Sequence, residues 1–464
     1  MTTAATHRSA GIAPLVAIGA FGLGVGLAAL GRRVGPIAVV ALPIVLIVAG
    51  ASLSVPRRAV ALTVLAMPLG IIQIPGVPLQ VIDAAILAGV GLVVVARGAR
   101  GHAPLAWSGA LGWALALVAL AVLATPSAVD VGLAVRSTAQ LLSGVLLAFA
   151  VISVCETEQD LRWLVAVFLG VATVICLIAF PSAGQLRASF GGAVVENRAT
   201  SVFAQPNELG SYSGMVLLTA VGAFLSARTR RGRNLTLVTV LAALGALGLS
   251  LSRGAWVGTA LGVVGLAVLL PSARRLLALG VPALAIAVVA AALSPSATSV
   301  RIVQARLGSI TEQTVNPYDE RPIIYAEGRR QVIAEPWNGV GPGNFPAASA
   351  RSVSDAQTVG ADHAHNALLT VAAEIGLPAA GVLAGLTLAL AFAALKTVSR
   401  LRAAGRERAA ALAGGLGAAL LSVAGHGLVD FPLRNPVLFA TVWILSALLL
   451  AAARTLPSHE PGLP

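Results

Sequence analysis

A few residues able to do chemistry stand out from an otherwise apolar chain. His365-Asn366 sits where a long polar connection meets an apolar run, so its imidazole can face a loop cavity. An imidazole titrates near neutrality, as a general base on a hydroxyl must, and Asn366 can orient a ring or hydroxyl beside it. Arg253 lies between two apolar runs, 234–251 and 254–270, at a boundary where an uncompensated charge is costly. Its planar fork can pair with phosphate oxygens and keeps its charge in a low dielectric; helix capping or snorkelling is the structural alternative. Arg187 and Arg198 lie in the polar stretch 181–206, where Arg187 is as much a surface residue as a ligand. Arg329 and Arg330 share a stretch with Glu327 and Glu335, so a solvated face with i,i+4 pairs competes with any anion role. The turn-rich Gly339-Val340-Gly341-Pro342-Gly343-Asn344 could offer N–H groups to an anion, less the donor that Pro342 lacks.

The remaining polar candidates are read against those. His363, two residues before His365, falls on roughly the opposite face if the segment is helical, and is then secondary. On a strand the pair would point one way, and with Asp362, His426 or Asp430 could ligate a metal. One outer aspartate and a distant histidine make a poor first shell, so neither metal nor cofactor is expected. Glu374, nine residues after His365, is about 180° around a helix from it and would fix neighbouring elements rather than orient that ring. His426 and Asp430 could share a helix face, but Gly427 and Pro432 argue for a break. A broken membrane helix is tolerated where it lines a protein cavity, so this segment can complete a binding site. Cys155 and Cys176 have no zinc-type spacing and imply neither a disulfide framework nor a thiolate site.

The elements that hold these residues are membrane helices. Of 464 residues, 57% are hydrophobic and 11% charged, with a mean hydropathy of +0.90; an ordinary soluble domain is roughly a quarter charged. Apolar segments long enough to cross roughly 30 Å of hydrocarbon run over 11–30, 36–52, 58–74, 80–96, 105–124, 133–154, 161–180, 207–227, 234–251, 254–270, 277–293, 367–395, 409–426 and 437–453. The expected fold is an all-α polytopic integral membrane protein of about 12–14 transmembrane helices with a long helical extracytoplasmic loop. No cleavage site follows the first apolar run, which is expected to remain as an anchor. Basic residues favour cytoplasmic loops, and with both termini inside, the net charge of +13 falls on that side, leaving the outer side neutral. Only Arg32/Arg33 fall on the wrong side. Topology therefore accounts for the basic excess, and no nucleic-acid partner is needed. Three outward regions exceed what spanning needs: 181–206, 294–366 and 426–436. The second contains the apolar-periodic pieces Val300–Ile310 and Ile323–Ile333, read as amphipathic surface helices closed by Pro336 and the glycine-rich turn.

Five features in order carry a family resemblance: Arg198-Ala199-Thr200…Pro206-Asn207-Glu208; Ser252-Arg253-Gly254-Ala255-Trp256; Pro336…Gly339-Val340-Gly341-Pro342-Gly343-Asn344-Phe345; His365-Asn366 followed by Gly376; and His426…Asp430-Phe431-Pro432. The sequence resembles the O-antigen ligase and polysaccharide polymerase superfamily of bacterial membrane glycosyltransferases over about residues 180–440. Residues 1–180 match only as apolar helices, so the chain divides into N-terminal transmembrane helices, 1–180, and a catalytic region, 181–464. The sequence departs from the family at Pro378-Ala379-Ala380, where a glycine is usual, and Arg330 precedes Gly341 with a spacing that resembles the polymerases.

The resemblance implies transfer of a glycan from a polyprenyl-diphosphate carrier to an acceptor hydroxyl, on the outer face of the cytoplasmic membrane. Such an enzyme holds the diphosphate, aims the acceptor and removes its proton, and arginines can take the place of a cation. His365 is then the expected base. Arg253, Arg198, Arg330 and Arg187 are the diphosphate ligands, and Asn366, Glu374, Asn207, His426 and Asp430 support them or orient the acceptor. The implied partners are a lipid-linked donor, a glycan or glycolipid acceptor and the bilayer. One-step displacement would invert the anomeric centre. A transporter or flippase of the same lipid-linked sugars is the alternative class; transporters show matching broken helices in both halves, a pairing not seen in this sequence.

Overall fold

The computed structural model describes residues 54–72, 80–103, 105–183, 198–275, 278, 320–352, 355 and 360–456, and the backbone of 187–188 and 194–195. The helices are α1 (Arg57–Ala66), α2 (Val81–Gly98), α3 (Ala110–Ala124), α4 (Val131–Val154), α5 (Glu158–Ser182), α6 (Pro206–Ser226), α7 (Arg230–Ser250) and α8 (Arg253–Leu269). After them come α9 (Arg321–Ala334), α10 (Phe345–Arg351), α11 (Ala367–Ile375), α12 (Leu377–Ala403), α13 (Glu407–His426) and α14 (Pro436–Thr455). A two-residue antiparallel ribbon, β1 (Arg187–Ala188) with β2 (Val194–Val195), interrupts an otherwise all-α fold. Among the described residues nine helices are long and apolar enough to cross a membrane: α2 to α7 and α12 to α14. Helix α8, at 17 residues, is just shorter. The chain is a polytopic membrane protein.

Helix boundaries follow local chemistry. Thr157 and Asp160 form a capping box at α5, as do Gln205 and Glu208 at α6, where Pro206 takes the first helical position. Ser252 caps α8, Asn366 caps α11 and Asn435 caps α14, each accepting a first-turn N–H.

The expected segment 58–74 does not form a crossing helix. Helix α1 stops at Ala66 and passes into a 3-10 turn containing Pro68, which has no N–H to continue the ladder. The expected crossing 367–395 is two helices, α11 and α12, broken at Gly376. That residue has φ +99°, and a Cβ there would stand 2.0 Å from the Trp337 carbonyl oxygen. Pro378 then opens α12, which runs on to Ala403. Expected segments 11–30, 36–52, Val300–Ile310 and, apart from residue 278, 277–293 lie outside the described residues. Helix α9 occupies the expected Ile323–Ile333.

Helices α6, α13 and α14 are buried nearly all round, whereas α7 and α12 turn Leu235, Leu241, Leu388 and Phe392 outward, as helices facing lipid do. At the centre the backbones of α6, α8 and α13 approach through glycines. A Cβ on Gly415 would lie 2.6 Å from Gly222 Cα, and one on Gly258 2.5 Å from the Ser422 carbonyl oxygen. Small residues are what permits such contact between membrane helices. It sets the C-terminus of α13 beside the N-termini of α6 and α8.

The opposite end of the bundle collects arginines and a few acids. Glu158 takes Arg162 at 2.6 Å, Arg228 at 3.0 Å and Arg406 at 3.3 Å. Arg97 meets Glu156 at 2.5 Å, Arg57 pairs with Asp160, and Arg400 and Arg402 close on the carbonyls of Ala453 and Leu269.

The glycine contact yields a test. Gly415→Leu should force α6 and α13 apart at a cost of about 1–3 kcal/mol, read as a lower thermal unfolding midpoint in detergent. Gly381→Leu, at a position with nothing within 4 Å, should leave the midpoint where it is.

Candidate functional site

Asp430 is the meeting point of the cluster. Its Oδ1 lies 2.9 Å from His365 Nδ1 and 3.3 Å from His363 Nε2, and accepts the Phe431 backbone N–H at 2.8 Å. Its Oδ2 accepts from Asn207 Nδ2 at 3.2 Å and stands 3.8 Å from His426 Nε2. Asn207 in turn accepts a hydrogen bond from Arg198 at 2.8 Å, while Arg198 Nε donates to the Ser250 carbonyl at 2.9 Å. Asp430, His363 and His426 are buried, and His365 is the partly open member.

Local sequence explains this convergence. Helix α13 ends at His426, and the turn over Gly427–Asp430 returns the Asp430 N–H to the His426 carbonyl at 3.1 Å. Gly254, in the first turn of α8, is small enough to pass the His426 ring; a Cβ there would sit 2.8 Å from it. Asn366 caps α11 and donates to the Leu428 carbonyl, while the Ala367 N–H donates to that of Gly427 at 2.7 Å, stitching the histidine segment to the turn. His365 holds φ +46°, a left-handed conformation that a non-glycine residue adopts at some cost and that is often found at functional sites.

The segment around His363 is not helical, which overturns the expectation that His363 faces away from His365. The two rings lie 4.3 Å apart between centroids and share one carboxylate oxygen. His363 Nδ1 also meets Asp362 Oδ1 at 2.5 Å, as an ion pair bent away from hydrogen-bond geometry. Burial works against charge on His363, but the carboxylates of Asp362 and Asp430 outweigh it and raise its pKa to about 9. Burial likewise opposes ionisation of Asp430, yet bonds from His363 and His365 and the nearby His426 hold its carboxyl well below the usual range. Asp362 is also held low against its burial, by His363 first and then by Arg434.

Glu374 joins the long loop to this cluster from behind. Its carboxylate accepts the N–H groups of Gly343 at 2.9 Å and Phe345 at 3.3 Å, and the Arg434 guanidinium at 3.1 Å; Arg434 reaches on to the Asp362 carbonyl at 2.7 Å. One donor of the glycine-rich turn, the Gly343 N–H, and that of the following Phe345 are therefore taken by the protein's own anion, which leaves the turn fewer N–H groups for a ligand. Its glycines meet a packing need instead: Gly339, Gly341 and Gly343 all have positive φ, and a Cβ on Gly343 would stand 2.1 Å from the Ser137 hydroxyl.

The structure thus brings His365, Asp430, Asn207, Arg198, His426 and Asn366 together. Gly254 places the neighbouring Arg253, half-buried on the first turn of α8, at the same end. Arg330 is held by Glu327 at 2.6 and 2.7 Å and by Ser352 at 2.8 Å, an i,i+3 pair rather than the i,i+4 pairs expected. The backbone of Arg187 lies in β1; its side chain is outside the described residues. Arg434 was not singled out by sequence reasoning, since it follows Pro432 in a short apolar stretch with no pattern to mark it. His363, His365 and Asp430 have ligand atoms within 4.8 Å of one another, closer than sequence distance suggested. His363 Nε2 and His365 Nδ1 both face the one Asp430 oxygen.

The depressed Asp430 pKa has a consequence for stability. Its contribution is fully present above about pH 4, the ordinary carboxylate value, and is lost as pH falls through the lower folded value. Asp430→Asn should lower the thermal midpoint near pH 7, by about 3 kcal/mol or more for a broken buried pair. It should also flatten the acid-side decline measured by thermal unfolding from about pH 5 downward.

Residues 237–384 match the family model described as O-antigen ligase. Among curated proteins, none matches the chain. The matched region contains Arg253, Arg330, His363, His365 and Glu374, while Asp430, Asn207 and Arg198 reach the same cluster from outside it. The chain is a polytopic membrane protein in which residues 237–384 are similar to the O-antigen ligase family.

Proposed function

We propose that the protein is a membrane glycosyltransferase of the O-antigen ligase or polysaccharide polymerase type, transferring or polymerising polyprenyl-diphosphate-linked glycan units onto an acceptor hydroxyl. The observation that carries this reading is the His365–Asp430 pair. With Asp430 ionised, His365 places its proton on Nδ1 to donate to that carboxylate, so Nε2 keeps a lone pair. Nε2 takes no hydrogen bond among the described residues, and the ring is partly open.

In this mechanism Nε2 of His365 removes the acceptor proton as the acceptor oxygen bonds to the anomeric carbon. The bond from that carbon to the phosphate oxygen breaks, and the diphosphate leaves with the electron pair. Asp430 stabilises the imidazolium that forms. Arg253 and Arg198 neutralise the leaving group, with Arg330 and Arg187 as further cations of the outer loops. The N-termini of α6, α8 and α11 point their positive dipole ends to this same end of the bundle, adding to the field on an anion. Asn366, Asn207, His426 and Glu374 hold the frame. The arginine-rich end is read as cytoplasmic, which puts the histidine end on the outer face of the cytoplasmic membrane and both termini inside. The chemistry needs no metal, since the arginines supply the positive charge.

The test is transfer in proteoliposomes from a polyprenyl-diphosphate-linked repeat unit, without added metal. His365→Asn is the apt variant because asparagine tolerates the left-handed φ. Transfer should fall by about 10²–10⁴-fold in it, and fall strongly in Arg253→Ala, with the product inverted at the anomeric carbon. Full transfer by His365→Asn, or retained configuration, would contradict the mechanism. Carrier movement across the bilayer without transfer would place the protein with the flippases.

A further inference from the structure

We propose that His363 is a positioning residue of the transfer reaction: locked as a doubly protonated imidazolium between Asp362 and Asp430, it keeps Asp430 ionised and so confines His365 to one N–H, on the side away from the acceptor. This rests on the reading of His365 as the base. Nδ1 of His363 faces Asp362 and Nε2 faces Asp430, and ionised carboxylates have no proton to offer either nitrogen. Nε2 therefore carries a proton towards Asp430, and Nδ1, 2.5 Å from the Asp362 carboxylate, is placed to carry the second.

A buried cation between two carboxylates is the arrangement that burial demands, since an isolated charge there is costly while a paired one is tolerated. Its effect on His365 is direct. The rings are 4.3 Å apart and share Asp430 Oδ1, so the proton that His363 directs at that oxygen keeps the carboxylate ionised and ready to accept the His365 Nδ1–H. A neutral His363 would remove a cation from Asp430, and the carboxylate and both imidazoles could then redistribute their protons.

The other charged or titratable groups around the ring belong to every neighbouring element. Asp362 and His365 lie on its own segment, His426 at the end of α13, and Asp430 and Arg434 on the following turn. Glu374 on α11 is bound to Arg434, and Glu208 on α6 lies within electrostatic reach of Asp430. From α9, Arg321 lies within electrostatic reach of His426, and Tyr325 donates to the His365 carbonyl at 3.4 Å. Arg253 sits beside Gly254 on α8. The raised pKa of His363, about 9, agrees with the geometry: its charge is present at neutral pH and is lost as pH rises through that value.

Two measurements test this. The first is nitrogen NMR of labelled histidines in the unaltered protein in lipid, from pH 6 to 10, with His363→Gln identifying the signal. Both ring nitrogens of His363 should be protonated at pH 7, one losing its proton near pH 9; a single protonated nitrogen at pH 7, or a bound cation in its place after metal analysis, overturns the proposal. The second is the pH profile of transfer. The unaltered enzyme should lose activity on the alkaline side near pH 9. In His363→Gln that alkaline limb should vanish, the acid limb should move to higher pH, and kcat should fall about tenfold with KM for the acceptor little changed. Limbs unmoved in a folded His363→Gln contradict the proposal. Undiminished transfer by His365→Asn would defeat the base assignment instead, and the NMR reading of His363 stands or falls without it.

Discussion

One buried carboxylate organises the histidine-bearing end of this protein. Asp430 accepts from two histidines of one segment, from Asn207 on α6 and from its own neighbour's backbone. A charge so removed from water is tolerable only when its acceptor capacity is filled by donors, at least one of them cationic. That requirement draws the N-terminus of α6, the end of α13 and the segment before α11 into one place. Arg198 extends the network to the end of α7 through Asn207.

The bundle beneath makes this meeting geometrically possible. In lipid, apolar side chains gain little by leaving the solvent, so close backbone packing through glycine takes over the work of holding helices together. Gly222 against Gly415, and Gly258 against the Ser422 carbonyl, bring α6, α8 and α13 nearer than any side chain would allow. Gly254 continues that line to the His426 ring. The Ser252-Arg253-Gly254 motif is thus partly a packing device: its glycine admits the histidine, and its serine caps the helix that carries Arg253.

Much of the helical architecture was legible in the sequence, because apolar runs of spanning length bounded by cap residues leave few alternatives. Within the described residues the expected crossings from 80–96 to 254–270, and those at 409–426 and 437–453, lie within a few residues of the helices found. The break at Gly376 was not legible, since apolar residues continue on both sides and only the approach of the Trp337 carbonyl demands a glycine. Type and place could nominate His365, Arg253 and Arg198. Spacing could not reveal that Asp430 faces His365, because 65 residues separate them and the pairing depends on how the α13 turn returns. The orientation expected of His363 assumed a helix, and the segment before α11 is not helical. Glu374 and Arg434 likewise act through contacts with backbone groups that a side-chain pattern does not show.

The central claim is that His365 Nε2 faces the acceptor while the arginines of the same end face the diphosphate. The most direct measurement is a cryo-electron microscopy structure of the protein in lipid with a non-hydrolysable polyprenyl-diphosphate glycan and an acceptor sugar. The account predicts an acceptor hydroxyl within about 2.6–3.2 Å of His365 Nε2, with the diphosphate against Arg253 and Arg198. A donor bound at the arginine-rich end of the bundle, or an acceptor hydroxyl held away from His365 with the diphosphate properly seated, would contradict it.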